Sequence, residues 1–268
     1  MNVQPKRSAI GLPSSGRCQL WIDFDGTLTQ QDVLDELISR YAIDDSWRVI
    51  EQRWQRGEVG SRQCLTEQLD LVRISPAELD ALLAGITLDP GAVALVEAME
   101  SHGVPVVVLS DCVELFIRQI LERHGLGRLA VRSNTAIFHN HRLKLQCPHE
   151  NARCTFGAAH CKCVSMDVLG HADRRSIYVG DGRSDLCVSR KADVVFAKGI
   201  LAQCLDKESL PYVRYSTLHD VTHHLAVAWE SAAMAEAYVA TAHPSPVPDA
   251  ARGEPVPSPG YRDTRATA

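Results

Sequence analysis

The sequence has little that would tie it to a membrane or to nucleic acid. No apolar run reaches the roughly 18 residues expected of a bilayer span. Lys and Arg number 28 against 33 Asp and Glu, for a net charge of −5, and no basic block stands out. Neither nucleic acid nor a membrane is therefore an expected partner. Lys6 and Arg7 have no apolar stretch behind them, so no secretory signal is read and the expected location is cytoplasmic. The nine cysteines are odd in number, which argues against a secreted disulfide framework. What remains is ordinary globular composition, 45% hydrophobic and 23% charged, sufficient for one substantial core and a smaller module.

The chain pattern predicts a parallel α/β fold. Residues 1–16 read as a flexible lead-in. QLWIDFD reads as a buried strand, because an apolar run stops abruptly at carboxylates. From residue 30 to 87 the pattern turns helical. Val33, Leu34, Leu37, Ile38 and Tyr41 share one helical face, and Ser75-Pro76 with Glu78 makes a helix start. A helix is expected from Asp89-Pro90 to Gly103, then a strand in VPVVVLSD, a helix over 113–124 and a hairpin within 129–146. SIYVGD and VVFAK read as strands, with helices over 199–205 and 218–240. The Pro- and Ala-rich segment 242–268 is expected to be disordered. The alternation implies a Rossmann-like parallel sheet with helices on both faces, over 17–29 and 88–241, and a helical module (30–87) inserted after the first strand.

Three of the strands end in polar chemistry, and ligands of such sheets gather beyond the carboxyl ends of the strands. Asp23, Asp25, Ser110 and Asp181 are thus expected around one crevice. Asp23 and Asp25 lie two apart and point to the same side of a strand. One carboxylate can attack phosphorus while its neighbour delivers a proton to the leaving oxygen, which splits hydrolysis into two easier steps. Bringing a phosphoryl group to a carboxylate sets anion against anion, so cations are needed. Mg²⁺ with hard oxygen ligands suits the set Asp23, the Asp25 carbonyl, Asp181 and Asp185. Lys162 would add a fixed positive charge, and Thr27 and Ser110 would hold phosphoryl oxygens.

With DFDGT at 23–27, VVLSD ending at 111, Lys162 and GDGRSD at 180–185, the sequence resembles the haloacid-dehalogenase superfamily of phosphohydrolases. The resemblance covers roughly residues 18–225. It implies Asp23 as nucleophile, Asp25 as acid and base, Ser110 and Lys162 as phosphate ligands, and Asp181 and Asp185 at a Mg²⁺ site. The insert resembles the cap of the phosphoserine-phosphatase-like branch. Within that branch, CPHENARCTFGAAHCKC and KGILAQCLDKESLPYVRYSTLHDV resemble the methionine-salvage phosphatase family, which acts on 2-hydroxy-3-keto-5-methylthiopentenyl-1-phosphate. Phosphoethanolamine and phosphocholine phosphatases are also similar, sharing Ser-Asp in the second motif. Phosphoserine phosphatases carry Ser-Gly-Gly where this chain has Ser110-Asp111-Cys112, and a cap glutamate and arginine where it has Asp32 and Thr66-Glu67-Gln68. Phosphoserine is therefore disfavoured unless Arg62 or Arg73 substitutes. Asp111 admits two readings, a partner for a cationic head group or a cap of the following helix.

Cys147, Cys154, Cys161 and Cys163 crowd the approach to Lys162 without the paired C-x₂-C spacing of common zinc sites. Structural zinc, thiols packed in a reducing compartment, and a redox-responsive cluster are the three readings. The expected partner is a small phosphorylated metabolite, and the expected assembly a monomer or homodimer. Two other functions compete with hydrolysis: a regulatory protein that binds phosphoryl ligands without turning them over, and phosphotransfer to an alcohol.

Overall fold

A computed structural model describes residues 15–154 and 156–242, with side chains described to Met234. The expectations for 1–14 and 243–268 lie outside the described residues. The chain divides into Met1–Ala233, a compact unit, and Met234–Ala268; of the second, only the last turns of one helix are described. No helix among the described residues is long and apolar enough to cross a membrane.

The strands are β1 (Cys18–Ile22), β2 (Val106–Val113), β3 (Ala130–His139), β4 (Arg142–Gln146), β5 (Arg175–Gly180), β6 (Val194–Ala197) and β7 (Val213–Arg214). They form one sheet in the order β4-β3-β2-β1-β5-β6-β7. Every pairing is parallel except the β3–β4 hairpin. Parallel strands need long crossovers, and helices supply them: α1 (Val33–Tyr41), α2 (Ser46–Gln55), α3 (Ser61–Leu69) and α4 (Pro76–Ala84) in the insert, then α5 (Ala92–Ser101), α6 (Glu114–Arg123), α7 (Lys162–Leu169), α8 (Leu186–Ser189) and α9 (Gly199–Glu208), while α10 (Leu218–Ala242) follows the last strand.

Side-chain alternation along the strands gives each face of the sheet its own core. Leu20, Ile22, Val108, Ile177, Val179 and Phe196 pack with Leu95, Ile117, Ile120 and Val221 from α5, α6 and α10 on one face. Trp21, Leu109 and Tyr178 meet Met166 and Val188 from α7 and α8 on the other, while Val195 and Ala197 meet Leu201 and Leu205 of α9. Burial on both sides is why these strands read as unbroken apolar runs.

The insert holds helices α1–α4. Ser75 and Glu78 close a reciprocal capping box on α4, and Asp32 caps α1 by accepting the Asp35 N–H at 2.9 Å. It meets the rest of the unit through backbone bonds, Arg62 N–H to Gly157 O and Ile74 N–H to His141 O, both 3.0 Å.

Three boundaries differ from the sequence reading. Helix α5 begins at Ala92, because the buried Asp89 carboxylate turns back to accept the N–H groups of Gly91 and Leu218, each at 2.9 Å. Helix α9 runs to Glu208 and stops at Ser209, whose φ is +55°. Strand β2 does not end at Ser110. It continues to Val113 through a register shift between Leu109 and Val113, and a bulge of that kind re-aims side chains.

Candidate active site

The site is built where β1, β2 and β5 end side by side. Asp23 follows β1 directly; its N–H still bonds Val179 O at 2.9 Å, so its carboxylate is fixed by the sheet itself. The next turn reverses the chain. Gly26 takes φ +67°, and a Cβ added there would lie 2.5 Å from Asp181 Oδ2. Only glycine combines that backbone with so close an approach. Thr27, fully buried, donates its hydroxyl to Asp181 Oδ1 at 2.9 Å.

Asp23, Asp181 and Asp185 each bring a carboxylate oxygen within 4.8 Å of the others. Lys162, the first residue of α7, is 3% exposed and lies 2.7 Å from both Asp23 Oδ1 and Asp185 Oδ1. Asp185 is saturated: Oδ1 also accepts the Tyr178 hydroxyl, and Oδ2 accepts the N–H groups of Asp181 and Gly182, both at 3.0 Å. Burial would raise its pKa, yet Lys162 and these hydrogen bonds hold it below the ordinary carboxylate value. Burial by itself would discharge Lys162, but Asp185 and Asp23 keep it above its usual pKa. Asp185 thereby takes most of the benefit of the one ammonium. Asp23 is left with burial and the charges of Asp185 and Asp181, which push it well up against the pull of Lys162. Asp181 is pushed up to about 6 by burial and by Asp185.

Three carboxylates around one ammonium form a set short of positive charge. Hard oxygen donors so close together suit Mg²⁺, and Asp23 and Asp181 are the members whose oxygens are not saturated by hydrogen bonds. Asp185 acts on the set by positioning Lys162 and the 181–182 backbone.

Asp25 is differently placed. Its Oδ1 accepts the Val33 N–H at 2.9 Å and its Oδ2 the Ser110 hydroxyl at 3.2 Å. Burial and the charge of Asp32 raise its pKa well above the ordinary carboxylate value, against the pull of the Val33 N–H, the Ser110 hydroxyl and Lys162. Its side chain is not part of the carboxylate trio, which leaves the backbone carbonyl as its route to a metal. Ser110, fully buried, accepts the Cys112 N–H at 2.9 Å.

Asp111 accepts the His160 N–H at 2.7 Å on Oδ1 and the Ser61 hydroxyl at 3.3 Å on Oδ2. Ser61 belongs to the insert, so Asp111 ties α3 to the loop before Lys162. This strut role was not among its two sequence readings. His160 completes it, bonding Ser110 O at 2.9 Å and Ser165 Oγ at 2.6 Å, with its pKa pushed down to about 3 by burial. A neutral His160 is a brace between the Ser110 and Lys162 segments. Tyr178 and Ser61 escaped the sequence reading, and His160 figured there only as a neighbour of the possible zinc cluster; each acts through a partner more than four residues away.

Over these groups lies a cavity of about 500 Å³ that the insert closes from the other side. Asp23, Asp25, Asp111, Lys162 and Asp181 line its floor; Asp32, Asp35, Glu51, Trp54, Leu34 and Leu65 line its walls. Arg62 and Arg73 do not reach it. Arg62 pairs with Glu150, and Arg73 is spent on the carbonyls of Asp70 and Val72, so neither offers the guanidinium a substrate carboxylate would need.

The four cysteines around the lysine, Cys147, Cys154, Cys161 and Cys163, do not converge. Among the described residues, the aspartate trio is the one group of three metal-ligating side chains. Cys161 and Cys163 pack into the core beneath α7 with Cys154 at its edge. The C-x-C spacing on one helix turn sends neighbouring thiols in different directions, so structural zinc gains no support.

Replacing Gly26 with alanine is expected to displace Asp181 and strain the turn, the backbone alone costing about 1 kcal/mol. Mg²⁺ affinity should fall at least about tenfold, read by calorimetry; an unchanged affinity would mean that Gly26 does not seat Asp181.

The family model described as haloacid dehalogenase-like hydrolase matches residues 21–190. The 2-hydroxy-3-keto-5-methylthiopentenyl-1-phosphate phosphatase of Brevibacillus brevis is 24% identical over 210 residues, covering 77% of this chain and 94% of its own. Pdp3-interacting factor 1 of Schizosaccharomyces pombe is 27% identical over 219 residues, covering 76% and 93%. Among solved structures, the probable phosphoserine phosphatase of Vibrio cholerae, unliganded, superposes with a TM-score of 0.64 at 19% identity, covering 84% of this chain and 68% of that one, a likeness of fold.

Proposed function

The chain belongs to the haloacid dehalogenase-like hydrolases, and from that premise we propose that it is a Mg²⁺-dependent phosphomonoesterase working through an aspartyl-phosphate on Asp23. The observation that carries this is the meeting of Asp23, Asp181 and Asp185 around the buried Lys162 at the floor of one cavity.

Bound Mg²⁺ would be held by Asp23, Asp181 and the Asp25 carbonyl, and would supply the positive charge that lets a carboxylate approach a phosphoryl group. The remaining work falls to the chain. Asp23 Oδ1 is held by the Phe24 N–H at 2.8 Å and by Lys162, leaving Oδ2 to attack phosphorus. Asp25, its pKa raised, gives a proton to the leaving oxygen. Once ionised, it takes a proton from the water that attacks the aspartyl-phosphate, which frees Asp23. Lys162 holds a phosphoryl oxygen, and the buried Ser110 hydroxyl holds the Asp25 carboxyl in place. Helices α1–α4 act as a cap that excludes bulk water. Hydrolysis of p-nitrophenyl phosphate that needs Mg²⁺ and stops with a chelator is the expected result; purified, folded protein inert with every divalent metal would favour a phosphoryl-binding protein instead.

The pKa of Asp181, about 6, sets a pH dependence. A carboxylic acid with a raised pKa is protonated below it, so Mg²⁺ must then displace a proton. The apparent Mg²⁺ affinity is expected to drop by at least about tenfold per pH unit below pH 6. Mg²⁺ titrations of activity at pH 5, 6 and 7 read this directly; a flat profile contradicts it.

For the substrate, the first reading is 2-hydroxy-3-keto-5-methylthiopentenyl-1-phosphate. It is supported by the relative from Brevibacillus brevis and by Leu34, Trp54 and Leu65 in the cavity wall. A second reading is favoured by the carboxylates in that same wall. Asp32, Asp35 and Glu51 line it together with one guanidinium, Arg183; no lysine or arginine pairs with any of the three among the described residues, and burial with repulsion from Asp32 and Glu51 pushes Asp35 up to about 7. Such a wall suits an ammonium head group, as in phosphocholine or phosphoethanolamine. A panel of small phosphates compared by kcat/KM separates the two. On the second reading, Asp35→Asn should cost the cationic substrates about fivefold, roughly 1 kcal/mol, and leave neutral ones unchanged; an equal effect on both rejects it.

A further inference from the structure

The thiols next to the reacting groups are left unused by the proposed reaction. A second cavity, of about 50 Å³, is lined by Cys154, Cys161, Cys163 and Cys187 together with Lys162 and Ser184. None of these four is in a disulfide, and they do not assemble a metal site. One pair stands apart. The sulfurs of Cys163 and Cys187 are 2.8 Å from each other, less than an ångström short of the bonded distance of about 2.05 Å. Cys163 is buried, whereas Cys187 is half-buried and open to the small cavity.

Their places in the chain give the contact its meaning. Cys163 follows Lys162 on α7, and Cys187 lies two residues after Asp185 on α8. Lys162 and Asp185 are joined by their own 2.7 Å ion pair. A bond between the two sulfurs would join the same two segments a second time, beside that ion pair.

We propose that Cys163 and Cys187 are a modification site, a dithiol that hydrogen peroxide closes to a disulfide, and that closure turns the hydrolase down by shifting Lys162 against Asp185. The effect on turnover rests on the phosphatase reading; the cross-link does not. The Cys187 sulfur attacks one peroxide oxygen, the O–O bond breaks, and a sulfenic acid and one water result. The Cys163 sulfur then attacks the Cys187 sulfur. The S–O bond breaks, and the departing hydroxide leaves as a second water with the Cys163 proton. Two thiols lose two electrons and two protons, and peroxide becomes two waters. Drawing the sulfurs together moves backbone adjacent to Lys162, and a displacement near 1 Å in a reacting array costs about a hundredfold in rate.

Reduced protein treated with hydrogen peroxide, alkylated and digested should yield a Cys163–Cys187 cross-linked peptide as the main oxidation product by mass spectrometry. A different pairing, or Cys187 oxidised further while Cys163 stays alkylatable, overturns the site. In parallel, p-nitrophenyl phosphate turnover should fall at least about tenfold on oxidation and return with dithiothreitol, while Cys187→Ser keeps its turnover under peroxide. Full cross-linking with unchanged turnover, or equal loss in Cys187→Ser, overturns the switch. A chain that hydrolyses no phosphate ester would fail the phosphatase reading while the peptide map still decides the cross-link.

Discussion

Asp23→Asn is expected to abolish turnover, by about four orders of magnitude or more, and at the same time to raise the melting temperature of the metal-free protein at pH 7. The two effects share one cause. Asp23 is the group proposed to bond phosphorus, and an amide in its place is no nucleophile. It is also a carboxylate held against burial and two like charges. Its pKa is higher in the folded chain than in the unfolded one, near 4. Its ionised form therefore costs stability, and that cost grows as pH rises from about 4 through the folded pKa. Asparagine removes the charge and keeps an oxygen that accepts from Lys162 and the Phe24 N–H. The gain should shrink to little by pH 4 and vanish below it, where the wild-type group is protonated in both states. Phosphate release together with thermal melts in chelator at pH 4 and 7 checks both halves. A variant that is inactive and less stable at pH 7 would mean that Asp23 serves the fold.

Lys162→Met should behave in the opposite sense. It removes the one ammonium shared by Asp23 and Asp185 and leaves two buried carboxylates facing each other. Breaking a buried pair from one side costs about 3–5 kcal/mol, which for a chain of this size lowers the melting temperature by roughly 10 °C. Turnover should fall by about three orders of magnitude, because a phosphoryl ligand and the anchor of Asp23 go together. Asp185→Asn added to Lys162→Met should recover part of the stability and none of the activity. A double variant no more stable than Lys162→Met would show that the loss comes from packing at α7 rather than from stranded charge. The opposed signs at positions 23 and 162 follow from a site that carries more negative charge than it can balance alone.

Much of this was legible in the sequence because it is written in short-range rules. Apolar runs ending in carboxylates located β1, β2 and β5, since a strand buried on both faces has no polar position to spare. Ser75, Pro76 and Glu78 announced α4 by capping chemistry that needs only one helical turn. The four motifs named Asp23, Asp25, Ser110, Lys162, Asp181 and Asp185, all of which the fold gathers at one sheet edge. The turn at Asp89 and the continuation of β2 past Ser110 were not legible, because each depends on a partner elsewhere: the Leu218 N–H in one case, pairing with β3 in the other.

By itself, then, the sequence determined the parallel α/β plan and named the candidate site residues, since periodicity and motif spacing are local properties of a chain. Tertiary structure alone decided how charge is shared among those groups. Which carboxylate Lys162 serves, that Asp185 is saturated while Asp23 is short of a counter-charge, that Asp111 and His160 brace the loop before Lys162, and that Cys187 meets Cys163 are all matters of distance through space. Electrostatic energy depends on that distance and on the water excluded around it, and neither can be read from order along the chain.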